Sequence, residues 1–79
     1  MELKDLTQIV KGRDVKIVEL KGGQRFQQKV EALGLRVGVQ VKKLSTQVLN
    51  GPVTIKIGST TVALGYGMAK KIMVNGGDE

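Results

Sequence analysis

The chain is 79 residues long, carries a formal net charge of +6, and contains neither cysteine nor histidine. Its length predicts one domain, residues 1–79, that buries about 60–65% of the surface its unfolded form exposes. The missing residue types exclude disulfides and remove the usual ligands of transition-metal sites. With 41% hydrophobic residues, eleven glycines and only 3% aromatic residues, the composition predicts short aliphatic strands joined by tight turns.

No segment of the sequence predicts export or membrane insertion. Residues 1–5 lack the basic and apolar regions of a signal peptide. No apolar run approaches the roughly 18–20 residues of a membrane span. We therefore expect a cytoplasmic protein. Its positive charge attracts anionic partners, although lysines spread along a chain are also typical of solvated strand faces.

The first half of the chain predicts one strand and one helix. Residues 14–20 alternate as a strand, after an apolar segment at residues 6–10. Residues 24–33 are the only good helix candidate, and Gly34 follows where a left-handed cap favours glycine. The apolar stripe of this helix consists of Phe26, Val30 and Leu33. So short a helix must pack on a sheet.

The second half predicts further strands joined by turns. Valines at every second position from Val37 predict a strand that runs on towards Leu49 and the hairpin signal Asn50-Gly51. Residues 53–57 alternate again, and Gly58-Ser59 predicts a second two-residue turn.

The chain is expected to end with three short elements. Residues 60–64 predict another strand, residues 65–70 a short helical turn and residues 72–74 a last strand. The tail, residues 75–79, is expected to fray.

These elements predict a mostly-β fold, a small SH3-like barrel of about five strands with one short helix inserted after the first strand. Closing the sheet into a barrel removes the exposed edges that a chain rich in valine and isoleucine would offer to aggregation. An incompletely closed edge could instead pair two copies, so a homodimer stays open.

The sequence predicts no catalytic, cofactor or metal site. Its hydroxyl groups lie on predicted strands and turns without a histidine or cysteine partner, so we do not expect an enzyme. Its seven acidic residues form no i, i+3 or i, i+4 pair on the helix, which leaves at most a weak hard-ion site. The segment Gly65-x-Gly67-x-x-Lys70 lacks the third glycine and the βαβ unit of a phosphate-binding loop, which favours a tight turn.

A nucleic-acid-binding barrel is a competing hypothesis. Single-strand binders interleave such charges with aromatic platforms. Here Phe26 and Tyr66 are the only aromatic residues, and both are expected in the core, which argues against nucleic acid as a partner. The lysines that could form one basic face of the barrel are Lys42, Lys43, Lys56, Lys70 and Lys71.

An ordered glycine and aliphatic pattern resembles the FeoA family, small cytoplasmic proteins of bacterial and archaeal ferrous-iron uptake. The resemblance covers residues 6–74 and rests on the order and spacing of the set, because no single motif in it is specific. The set consists of Leu6, Ile9, Gly12, Lys16-Ile17-Val18, Gly23, Lys29-Val30, Leu33-Gly34-Leu35, Gly38, Gly51-Pro52-Val53, Ile55, Ile57-Gly58, Val62-Ala63-Leu64, Ala69, Ile72 and Val74.

The resemblance implies an SH3-like barrel that assists FeoB, the membrane ferrous-iron transporter with a cytosolic GTP-binding domain. The family is also described as binding transition metals. The absence of histidine and cysteine from this chain argues against a tight site of that kind. The chain departs from the family at Val37 and Lys11, where proline is frequent, and at Lys29-Val30, where Arg-Leu is common. Iron-dependent repressors carry the same fold at their C-terminus, so a metal-responsive regulatory module is an alternative, although this chain lacks a DNA-binding domain.

The predicted contact surface for the FeoB cytosolic region lies around the helix. It includes the turn before the helix and the basic residues on the side of the helix. The alternative is that these residues contact only solvent. Its residues are Gly22, Gly23, Arg25, Lys29 and Arg36.

Overall fold

The computed structural model describes residues 3–45 and 49–75. It contains two α-helices, α1 (Gln24–Ala32) and α2 (Tyr66–Ala69), and a 3-10 turn at Leu6–Gln8. Its strands are β1 (Lys4–Asp5), β2 (Asp14–Leu20), β3 (Gln40–Lys43), β4 (Val53–Ile57), β5 (Thr60–Leu64) and β6 (Ile72–Asn75). The prediction of a mostly-β fold with one inserted helix is confirmed, with six strands rather than about five.

The strands form one antiparallel sheet in the order β1-β6-β2-β3-β4-β5. The sheet curls around an aliphatic core to which α1 contributes Val30, in agreement with the predicted small SH3-like barrel. Closure is nevertheless incomplete, because β5 pairs only with β4 among the described strands. The predicted removal of every edge is therefore wrong at β5.

The sequence pattern of β2 explains its burial. Val15 and Ile17 point into the core, whereas Asp14, Lys16 and Glu19 are exposed. A period of two places alternate residues on opposite faces, so one face of the strand is apolar and the other charged. The predicted strand over residues 14–20 is confirmed.

The end of α1 forms a Schellman motif. Gly34 has a φ of 95°, a left-handed conformation that a residue without a Cβ adopts most readily. Its N–H donates to the carbonyl of Glu31 (2.9 Å), and the N–H of Leu35 donates to the carbonyl of Val30 (2.9 Å). Val30 and Leu35 are both buried, which completes the hydrophobic contact of the motif. The predicted helix and its glycine cap are confirmed.

The strand predicted from Val37 onwards begins later than expected. The N–H of Val39 donates to the carbonyl of Arg36 (3.1 Å), and Gly38 has a φ of 96°. These features form a tight turn with glycine at its third position, so Val37 lies at the turn and is 61% exposed. The prediction from the valine alternation therefore placed the start of the strand three residues too early, because β3 begins at Gln40.

The predicted two-residue hairpin at Asn50-Gly51 is also wrong. The pairing of β3 with β4 ends where Thr54 donates its N–H to Ser45 Oγ (3.0 Å), which leaves a long connection at residues 44–52. A type I′ turn needs positive φ at both central residues, and only Asn50 has it (54°). Leu49 is 90% exposed, and residues 46–48 lie outside the described part of the chain.

The second predicted hairpin is confirmed. Ile57 pairs with Thr60 across Gly58-Ser59, and Gly58 has a φ of 60°. Glycine at the first central position is the requirement of a type II′ turn. Asn75, expected to begin a frayed tail, instead pairs with Lys16 in β6, and residues 76–79 lie outside the described residues.

Candidate interaction surface

The predicted contact residues lie along the whole length of α1. Arg25 and Lys29 are exposed on the helix, one turn apart, which places them on the same face. Gly22 and Gly23 precede the helix and Arg36 follows it. A helix of nine residues is about 13 Å long, so Arg36 lies near the opposite end of α1 from the two glycines.

Phe26 connects this helix face to Lys71 and, through Lys71, to Lys21, neither of which the sequence analysis placed in the contact surface. Lys71 Nζ lies 5.4 Å from the centroid of the half-buried Phe26 ring, a cation–π arrangement. The N–H of Lys21 donates to the carbonyl of Lys71 (2.7 Å), because β2 and β6 pair up to Leu20 and Ile72. Strand pairing over some fifty positions of the chain brings these lysines together, so no local pattern could have found them.

We refer to four exposed cations, two on α1 and two that flank the paired ends of β2 and β6, as the helix-side basic surface. The acidic residue of α1 is Glu31, and it is exposed. A surface with this excess of positive charge favours an acidic partner. The helix-side basic surface consists of Lys21, Arg25, Lys29 and Lys71.

Gly22 has a packing role that is independent of any partner. A Cβ built at this position would lie 2.2 Å from Phe26 Cδ2 and 2.5 Å from Phe26 Cγ, so the ring packs directly on the glycine backbone. The carbonyl of Gly22 also accepts a hydrogen bond from Gln27 Nε2 (3.1 Å). Gly23 differs, because a Cβ there would meet nothing within 4 Å among the described residues.

The five lysines considered for nucleic-acid binding do not form one face. Lys43 is only 1% exposed, so this part of the prediction is wrong. Lys70 lies over the ring of Tyr66, with Nζ 5.5 Å from the centroid, and Lys71 lies over Phe26. Both aromatic residues are half-buried beneath lysines and are poorly placed to stack on a base.

Lys43 joins β3 to the 3-10 turn near the start of the chain. Its Nζ donates to the carbonyl of Thr7 (3.3 Å). The Asp5 carboxylate accepts from the N–H of Thr7 (2.8 Å) and from its hydroxyl, and caps the turn. Burial lowers the pKa of Lys43 below its usual 10.5, and the nearby charge of Asp5 opposes that shift. The arrangement fixes the turn against β3.

A second set of cations lies on the outer face of the sheet. Lys42 of β3 pairs directly with Lys56 of β4, and Asp14 pairs with Lys42 from the other side. These three residues, with Gln40, Val41 and Gly58, line an open depression of about 360 Å³. Like charges directly opposite each other are unfavourable. Asp14 offsets part of the charge of Lys42, so Lys56, between Lys42 and Thr61, is the lysine of this row that best meets an acidic group from a partner.

The described residues provide little for a resident metal ion or a membrane span. Within residues 3–45 and 49–75, no three histidine, cysteine, aspartate or glutamate side chains are grouped as metal ligands. In the same residues, neither helix has the length and apolar character needed to cross a bilayer.

Residues 4–76 of the chain match the FeoA domain family. A relative from Methanocaldococcus jannaschii, named Fe(2+) transport protein A, is 33% identical over 63 residues, which cover 80% of this chain and 74% of the relative. Both matches agree with the resemblance found in the sequence.

Solved structures show the same fold. The crystal structure of an iron uptake regulatory protein, FeoA, superposes with a TM-score of 0.84 at 28% identity and covers 95% of this chain and 97% of that one. A manganese-dependent transcriptional repressor superposes with a TM-score of 0.82 at 19% identity, covering 91% of this chain but only 40% of the repressor. The likeness to the repressor is one of fold.

Proposed function

Because the chain belongs to the FeoA family, accessory proteins of ferrous iron transport, we propose that it is a cytoplasmic interaction module acting on a FeoB-type transporter. In this role it catalyses no reaction of its own and holds no iron tightly. It binds the cytosolic region of the transporter, which carries the GTP-binding domain.

The helix-side basic surface is the observation that supports this proposal. Arg25 and Lys29 project from a rigid helix, and Lys71 is held over the Phe26 ring beside them. Arg25 and Lys29 keep their spacing because one helix carries both, so they favour a partner whose acidic groups match that spacing. Charges at the rim of an interface act mainly on the association rate and on its salt dependence.

The proposal is tested by binding of the purified chain to the cytosolic region of FeoB. We expect the wild-type chain to be retained in a pull-down, and Arg25→Glu or Lys29→Glu to weaken the affinity by about two- to fivefold each, the range for exposed ion pairs. Raising the salt concentration should reduce the wild-type affinity more than that of the variants.

Lys11→Glu is the matched control, because Lys11 is exposed and lies on the turn before β2, outside the helix-side basic surface. This variant should bind as the wild type does. Failure of the folded wild-type chain to bind any FeoB segment would contradict the proposed function. Equal losses in Lys11→Glu and Arg25→Glu would show that net charge, rather than this surface, governs binding.

A further inference from the structure

β5 is an edge strand without the features that protect such edges. It pairs with β4 over five consecutive residues without a register shift, and among the described strands it has no second neighbour. It contains no charged residue, no proline and no bulge, the usual means of blocking an edge. The opposite edge of the sheet, β1, has only two residues and includes Lys4.

The hairpin register shows which backbone groups of β5 face outwards. Ile57 and Thr60 flank the two-residue turn and form a hydrogen-bonded pair, and hydrogen-bonded and non-hydrogen-bonded pairs then alternate. Val62 and Leu64 therefore bond to β4, while the N–H and C=O groups of Thr61 and Ala63 point away from it. Thr61 and Ala63 are both exposed. Four backbone groups are thus available to an added strand.

The outer face beside this edge is positively charged. Thr61 lies opposite Lys56, which lies opposite Lys42. A strand added at β5 would lie about 10 Å from β4, two strand spacings. Thr61 and Ala63 are small, so Lys56 can extend over them to meet an acidic side chain on the added strand.

We propose that the β5 edge binds an extended acidic segment of a partner protein, which adds to the sheet as an antiparallel or parallel strand. Backbone hydrogen bonds to Thr61 and Ala63 supply the affinity, and Lys56, with Lys42 behind it in the same row across the sheet, selects acidic side chains on the outer face of the added strand. This inference rests on the proposed role as an interaction module and adds a contact separate from the helix-side basic surface.

Charge favours a partner segment over a second copy of this chain. β5 itself contains no acidic residue that could meet Lys56 across a symmetric pair. A second copy would also bring a net charge of +6 to a face that is already positive. An acidic strand removes that repulsion and supplies the opposite charge.

The first test uses a defined probe, the blocked peptide acetyl-Thr-Val-Glu-Val-Glu-Val-Thr-amide, and its counterpart with lysine in place of glutamate. On titration of the isotope-labelled chain, we expect the amides of Thr61 and Ala63 to shift and to become protected from hydrogen exchange. The lysine peptide should bind at least about fivefold more weakly, the order expected when two exposed attractions become repulsions. Absence of shifts and protection at millimolar acidic peptide would overturn the inference.

Variants separate the backbone contribution from the charge contribution. Ala63→Pro removes an outward N–H without touching the β4 ladder and should reduce binding by about tenfold or more, as loss of a needed donor does. Ala63→Val keeps the N–H and is its matched control. Lys56→Glu should reverse the preference between the two peptides, and it tests the inference even if Ala63→Pro does not fold. An unchanged preference would contradict the charge argument.

The last test distinguishes this inference from the proposed function. If the FeoB cytosolic region binds wild type and folded Ala63→Pro equally, the edge inference fails and the proposed function stands. If the acidic peptide binds but no FeoB segment does, the edge inference stands and the proposed function fails. A dimer of the chain alone in sedimentation, abolished by Ala63→Pro, would assign the edge to a second copy and overturn the inference.

Discussion

Replacing Gly22 by alanine separates a packing role from a partner-contact role at a residue that sequence reasoning assigned to the contact surface. The added Cβ would lie 2.2, 2.5 and 2.7 Å from three carbon atoms of Phe26. Real Cβ atoms do not approach carbon so closely, so either the Phe26 ring or the start of α1 must move. The φ of Gly22 is not in the left-handed region, so the cost comes from this overlap alone.

The expected cost is that of overpacking a half-buried ring. Forcing a side chain off its rotamer or shifting the backbone costs typically about 1–3 kcal/mol, and leaving the Phe26 ring displaced also exposes apolar surface. A loss of about 2 kcal/mol corresponds to a fall in melting temperature of roughly 8–16 °C in a domain of this size. Displacement of the ring would also remove the support for Lys71 in the helix-side basic surface.

The assay is urea denaturation followed by circular dichroism, performed as a double-mutant cycle with Phe26→Ala. Gly22→Ala should destabilise the wild-type chain more than it destabilises Phe26→Ala, because the overlaps with Cδ2 and Cγ disappear with the ring and only the 2.7 Å approach to the Cβ of residue 26 remains. Gly23→Ala is the control and should change stability by less than about 1 kcal/mol, since its Cβ enters open space and the stiffer unfolded chain offsets the altered cap. Equal costs of Gly22→Ala with and without Phe26 would refute the packing explanation.

Two further predictions follow from Lys43 and Gly34. Lys43 has a lowered pKa when folded and titrates near 10.5 when unfolded, so between these values the unfolded chain binds more protons and stability rises with pH. The free energy of unfolding of wild type relative to Lys43→Met should therefore increase as pH rises towards 10.5; a difference that stays flat with pH would be contrary evidence. Gly34→Ala should lower the free energy of unfolding by about 1–2 kcal/mol, because Ala is strained at a φ of 95° while its Cβ has room; a change below the error of urea denaturation would contradict this.

Much of the fold could be predicted from the sequence wherever a local rule is sufficient. The alternation of Val15 and Ile17 fixes the inner face of β2, Gly34 ends α1, and Gly58 begins a two-residue turn. Each of these features depends on a residue and its immediate neighbours. The ordered set of glycine and aliphatic residues identifies the family for the same reason. Its members meet local requirements of the fold, such as a turn, a helix end or the inner face of a strand.

The parts that could not be predicted depend on contacts between distant residues. Nothing near Lys4-Asp5 marks β1, which exists because β6 pairs with it at Val74 and Met73. Lys21 and Lys71 meet through the pairing of β2 with β6. Asn50-Gly51 resembles a tight hairpin locally, yet the bond from Thr54 to Ser45 ends the pairing earlier.

At Lys42 and Lys43, the sequence contained a local signal for which side chain is buried, but the charge of the two residues was given more weight. Adjacent residues of a strand point to opposite faces, so only one of the two lysines can face solvent. Lys43 lies two residues after the buried Val41, which places it on the inner face, and Lys42 shares the outer face with Gln40. Charge suggested that both were exposed, but the period of two was the stronger constraint, because a lysine can be buried when its Nζ reaches a carbonyl. The same period leaves Lys42 and Lys56 together on the outer face, and there they lie beside the open edge of β5.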